Sequence, residues 1–207
     1  MKKNKGRGVI VIFIIVGIIL FGYLGYRVKN DFFKGSERKK LDSIELYGYT
    51  LSKNDTEIYK TYFKELSKVL NEKTIDYTEY AKLISKLFVI DLYTLDNKLA
   101  STDIGGLEFL HKDLKDNFKE KLIFYLCKEP DKFQFAEVII SWKNINVLVK
   151  DVNVSDVFET KYTYNKTEYD AYIVSTDITY EKDLGYPKSM KLTIIKDNNI
   201  LYIVKGE

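Results

Sequence analysis

The densest run of potential ligands in this 207-residue chain lies between Asp91 and Asp113: Asp91, Asp96, Asn97, Ser101, Thr102 and Asp103, then Gly105-Gly106, then His111 and Asp113. A calcium loop needs oxygen ligands at alternating positions closed by a bidentate glutamate, and the order DNKLASTDIGG lacks that spacing. A general base with its orienting carboxylate would need His111 and Asp113 to face each other, but side chains two residues apart on a helix diverge. His111 is therefore expected at the surface or beside a helix cap. The remaining reading of the run is structural. Asp96-Asn97 shape a turn, Thr102 or Asp103 caps the helix that follows, and Gly105-Gly106 permit backbone angles closed to other residues. Asp91 and Asp177 are the acids that could face a cavity between helices and sheet, with solvent as their alternative setting.

No phosphate-binding glycine loop, dinucleotide fingerprint, paired-cysteine zinc pattern or GxSxG elbow occurs. No catalytic residue, metal site or cofactor is assigned on this basis, and the expectation is a non-enzyme. The single cysteine, Cys127, follows Phe124, Tyr125 and Leu126 and reads as a small apolar packing residue. With 33 basic against 30 acidic residues and a formal charge of +3, nothing resembles the basic stripe of a nucleic-acid binder.

The elements that would position these groups follow from periodicity. Asn54 or Asp55 can cap a helix carrying Ile58, Tyr59, Tyr62, Phe63, Leu66, Val69 and Leu70 at three- and four-residue spacing. Asp76 with Glu79 resembles a capping box and opens a second stripe of Tyr80, Leu83, Ile84, Leu87 and Phe88. A third helix carries Leu107, Leu110, Leu114, Phe118, Leu122 and Leu126, with Pro130 ending it. The period then changes to two. Strands are expected near 138–149, 157–164, 169–180, 190–196 and 200–204, with turns at Asn165-Lys166, 183–187 and 197–199. Such short connections imply antiparallel pairing. Tyr162, Tyr164, Tyr169, Tyr172 and Tyr180 concentrate there and suit a partner-binding face; strand propensity explains them equally.

Ahead of all this, the residues from Gly8 to Tyr26 carry no charge and follow the basic tail 1–7, with Lys2, Lys3, Lys5 and Arg7. As a helix at about 1.5 Å per residue this stretch would be about 28 Å long, close to the roughly 30 Å hydrocarbon core of a bilayer. It is expected to be an uncleaved anchor, because Leu20, Phe21, Tyr23 and Leu24 leave no small-residue cleavage site. Gly8, Ile14 and Leu20 would lie in lipid, with Tyr23 and Tyr26 at an interface. A basic linker, 27–53, would join it to a soluble α+β domain, 54–207. Lysine and arginine flank both ends of the span, so the charge rule alone leaves orientation open; the short N-terminus is expected inside and the domain outside.

Three helices followed by an antiparallel meander resemble the nuclear-transport-factor-two-like (cystatin-like roll) superfamily over about residues 54–205, by element order. The abundance of Lys, Ile, Asn and Tyr is similar to that of chains from AT-rich bacteria. With the anchor in front, the layout resembles the VirB-eight type of conjugation protein. That resemblance implies an assembly scaffold whose partner is another protein or a second copy. The alternatives are a roll with a ligand or hydrolytic cavity bounded by Tyr62, Phe63, Leu87, Phe118 and the sheet, and a cytoplasmic, membrane-tethered regulator.

Overall fold

In a computed structural model, the described residues are 23, 38–99, 103–119, 147–183 and 185–207. A compact unit runs from Arg38 to Glu207. It is α+β. A hairpin of β1 (Lys40–Ile44) and β2 (Tyr49–Ser52) opens it, followed by α1 (Glu57–Leu70) and α2 (Tyr77–Tyr93). A 3-10 turn (Leu107–Phe109) and helical residues 112–119 come next. A meander of β3 (Val149–Tyr164), β4 (Thr167–Tyr180), β5 (Ser189–Asp197) and β6 (Ile200–Gly206) closes the chain, antiparallel throughout and in sequential order.

The helices form where the apolar spacing demands. Tyr59, Phe63, Leu66 and Leu70 are the buried stripe of α1. In α2 the Asp76 carboxylate accepts from the Glu79 N–H, as a cap should, and the C-terminal half is buried on nearly every side, including Leu83, Ile84, Leu87, Phe88 and Ile90. The helix continues from Phe88 to Tyr93, buried at nearly every position, and the helix as a whole packs against β3, β4 and β5. Opposite it the sheet contributes Val152, Val174, Leu192 and Ile194. Asn165-Lys166 and Asn198-Asn199 all have positive φ, from 48° to 69°, as two-residue hairpin turns between right-twisted strands require.

Several boundaries differ from the sequence reading. Residues 40–52, expected within a linker, form the β1–β2 hairpin, and Tyr49 and Leu51 enter the core. The α1 cap is Thr56, not Asn54 or Asp55, because the Asp55 carboxylate turns back to the Ser52 N–H. The third helix does not begin at Leu107: Gly106 at φ 78° starts a 3-10 turn, Leu110 bridges to Ile203, and regular helix starts at residue 112. The strand beginning at Val149 runs eight residues ahead of the expected Val157, since bulges at 149–151 and 154–156 break its alternation.

Other expectations fall outside the described residues: Cys127, Leu122, Leu126, the stretch 138–146, and Gly8, Ile14, Leu20 and Tyr26 of the anchor. Tyr23 is described, and is helical and exposed. Among the described residues no helix is long and apolar enough to cross a membrane.

Candidate functional site

The hairpin, the start of α1, the end of α2 and the 3-10 turn meet around a polar cavity of about 220 Å³, lined by Arg38, Lys40, Ser52, Asp55, Asp91 and Glu108 together with Thr50 and Tyr59. It differs in place and character from the cavity expected from sequence. Phe63 and Leu87 are packed in the core, and Phe118 instead borders an apolar groove with Phe88, Leu92 and Leu114.

One end of the polar cavity is organised by Asp91. Its position in the last turn of a helix is electrostatically adverse, because backbone carbonyls already leave partial negative charge there. Lys98 answers both: its Nζ lies 2.6 Å from the Asp91 carboxylate and donates to the Asp91 carbonyl at 2.6 Å. Arg38 Nη1 adds a bond at 3.0 Å, and the Gly106 N–H donates to the second carboxylate oxygen at 2.7 Å. Burial alone would push Asp91 up, but the cations of Lys98 and Arg38 outweigh it and hold the carboxyl at about 2. For Lys98 the burial dominates and lowers its ammonium below the ordinary value.

The two glycines are required here by contact. A Cβ at Gly105 would sit 1.9 Å from the Asp91 carbonyl oxygen, and one at Gly106 2.6 Å from the Phe88 ring. Arg38 extends the network, with Nε 3.0 Å from both oxygens of Asp103 and Nη1 3.4 Å from Asp55. Asp103, read from sequence as a helix cap, thus pairs with Arg38 and accepts from the Leu99 N–H. Asp55 is 5% exposed, and burial raises its carboxyl despite the Ser52 N–H at 2.6 Å.

The other end is Glu108. Its carboxylate accepts from the Thr50 N–H at 3.0 Å, the Thr50 hydroxyl at 2.8 Å and the Tyr59 hydroxyl at 2.9 Å, all neutral donors. Burial pushes it up to about 7, with the Thr50 and Tyr59 bonds pulling the other way and the charge of Asp91 adding to the rise. Nothing in the sequence singles out Glu108. Its role comes from a hairpin and a helix more than 45 positions away, as the Thr50 and Tyr59 bonds show.

Of its two expected settings His111 takes the one at a helix start, buried at 6% exposure and not on the surface. It precedes the helix, so its Nδ1 accepts from the Asp113 N–H at 3.4 Å and lies 3.5 Å from the Asp113 carboxylate; the divergence expected of mid-helix residues does not apply. Its ring meets Tyr164 of β3 and Tyr202 of β6 edge-on, at 5.1 and 5.5 Å. The sheet curls far enough for both edge strands to reach one side chain. Asp177 is exposed on β4.

The five tyrosines do not share a face. Tyr162 pairs across the ladder with Tyr169, and Tyr164 lies on the same side. Phe158, two pairs further along that side, is 57% exposed, the apolar residue of this face that the sequence reading left out. Tyr172, three residues from Tyr169, points oppositely into the core. Tyr180 also leaves the outer face: it packs against Tyr93 and Tyr186 and donates to the Pro187 carbonyl at 2.9 Å.

Among the described residues no group of three or more His, Cys, Asp or Glu side chains is arranged to hold a metal ion. No protein family, curated protein or solved structure matches this chain.

Proposed function

We propose that the chain is a single-pass, membrane-anchored binding domain without catalytic activity, displayed outside the cytoplasm in a bacterial cell-envelope or conjugation-type assembly. The observation that carries this reading is the uncharged run 8–26 behind a basic tail, followed from Arg38 by a compact α+β unit. Helices packed on one side of a curled, four-stranded antiparallel meander support a roll of the nuclear-transport-factor-two-like kind, used as a scaffold. The buried charges of Asp91, Lys98 and Arg38 are paired with one another, which supports a structural part for this cluster. The outer face of the long β3–β4 hairpin, with Phe158, Tyr162 and Tyr169, supplies the aromatic character that protein interfaces favour.

The test is a photo-crosslinking residue placed at Phe158, Tyr162 or Tyr169 in the full-length chain in its own membrane. An adduct with another envelope protein or a second copy is expected; absence of both at all three positions contradicts the proposal. A second reading, a roll that binds a small polar ligand, is favoured by the cavity beside Glu108. A screen of small polar compounds should then yield a thermal shift in the wild type that Glu108→Gln removes, and no such compound emerging counts against it.

A further inference from the structure

The β3 strand is an edge. Among the described residues it pairs with β4 alone, and its 16 residues make it the longest strand of the sheet. Past the bulge at 154–156 its ladder is regular from Asp156 to Tyr164, and Phe158, Glu159, Thr160, Lys161 and Thr163 are exposed there. The stretch is braced all the same: Asn165 at its tip donates to the Asp113 carboxylate at 3.0 Å, and the Tyr164 ring meets the buried His111 ring. A long, open and braced edge is a template for another strand.

Which backbone groups are open follows from the turn. Asn165 and Lys166, both at positive φ, close a two-residue hairpin, and Tyr164 with Thr167 forms its hydrogen-bonded closing pair. Bonding alternates from there. Tyr162, Thr160 and Phe158 exchange bonds with β4, while Thr163, Lys161, Glu159 and Val157 turn their N–H and C=O groups to the free edge. Two copies of β3 related by a two-fold axis normal to the sheet run antiparallel, and the residue on the axis fixes the register. With Glu159 or Lys161 on the axis, that residue faces its own like charge, which is unfavourable. With Phe158 or Tyr162 there, neither charge meets its opposite. Thr160 on the axis sets Lys161 against Glu159 of the second copy, and Glu159 against its Lys161. The same register opposes Thr163 to Val157, so every rung that must exchange backbone bonds joins residues with open groups. It also opposes Phe158 to Tyr162 on the rungs where side chains approach most closely. Lys161 already pairs with Asp170 of β4 on its inner side. Its ammonium would then lie between two carboxylates.

We propose that two copies of this chain join through their β3 edges about Thr160, merging their sheets into one continuous antiparallel sheet. The pairing rests on the reading of the β3–β4 hairpin as a partner-binding surface, and it specifies the partner as a second copy. Backbone bonds along the edge supply the attraction. The Lys161–Glu159 and Phe158–Tyr162 pairs select the register.

The experiment is disulfide trapping of the full-length chain in its own membrane, in a Cys127→Ser background, with a membrane-permeant oxidant so that either side is reached. Every other substituted position is exposed, so the fold is not at risk. In Thr160→Cys the two thiols face each other across the axis, where Cα atoms of a non-hydrogen-bonded pair stand about 4.5 Å apart, within the roughly 4.4–6.8 Å that a disulfide spans. A covalent homodimer is expected. Thr163→Cys and Asn153→Cys, whose images lie beyond that reach, should each give at least about tenfold less. Adding Glu159→Lys to Thr160→Cys should cut the yield about tenfold, and adding Lys161→Glu to that chain should restore it. No homodimer from Thr160→Cys, equal yield from Thr163→Cys, or no effect of Glu159→Lys overturns the pairing. If the pairing falls while a photo-crosslinker at Phe158 still captures a different protein, the binding-domain reading stands without it; if no adduct of any kind forms, both fall.

Discussion

The two ends of the polar cavity hold carboxyls of the same chemistry under opposite charge balance. At the Asp91 end, Lys98 and Arg38 bring two cations within 3.0 Å, and a deeply buried carboxyl is held ionised at about 2. At the Glu108 end the donors are neutral, and a less buried carboxyl is pushed up to about 7. Burial acts in the same direction on both, so the presence or absence of a facing cation decides the outcome. A matched buried charge fixes structure across pH; an unmatched one responds to pH.

The sharpest way to break the contrast is to remove Asp91. Asp91→Ala leaves Lys98 and Arg38 buried without their shared acceptor and strips a partner from the Gly106 N–H, which should cost on the order of 3–5 kcal/mol of stability in urea unfolding. A loss under about 1 kcal/mol would mean the cations find other partners easily. Tyr172→Ala, which opens a cavity in the core opposite the helices, should cost about 3 kcal/mol by the same measurement.

The two carboxyls should also leave opposite marks on stability against pH. Asp91 is held at about 2 against an ordinary 3.8, so its contribution is present above that ordinary value and is lost as pH falls through about 2. Glu108, at about 7 against 4.5, contributes fully below 4.5 and loses that contribution as pH rises through 7. Each swing should be on the order of 2 kcal/mol, and Glu108→Gln should flatten the upper one while sparing the lower. The smallest effect belongs to the outer face of the hairpin: Tyr169→Ala should change stability by less than about 0.5 kcal/mol yet reduce crosslinking to a partner.

Much of the fold was legible locally. The stripes of α1 and α2, the Asp76 cap and the asparagine turns at 165–166 and 198–199 depend on neighbours in sequence, and there the reading matches the structure. The β1–β2 hairpin was obscured because Lys39, Lys40 and Lys53 resemble a solvated tether, while the burial of Tyr49 depends on Tyr80, whose hydroxyl lies 2.6 Å away and 31 positions on. The cavity was less legible still. Asp91 was noticed as an acid, but its pairing with Arg38 spans 53 positions and Glu108 is bound by Thr50 from 58 positions away. Spacing carries no trace of such contacts. The tyrosine face could have been refined from sequence alone, since Tyr169 and Tyr172 differ by an odd number and a strand must turn them to opposite sides.

The most direct test of the proposed membrane-anchored, outward-facing domain is labelling of Lys166→Cys, at the exposed tip of the β3–β4 hairpin, with a membrane-impermeant thiol reagent on intact and lysed cells. The native Cys127 is replaced by serine in the same chain. Labelling of intact cells is the predicted result. Labelling that requires lysis would place the domain in the cytoplasm and contradict the proposal.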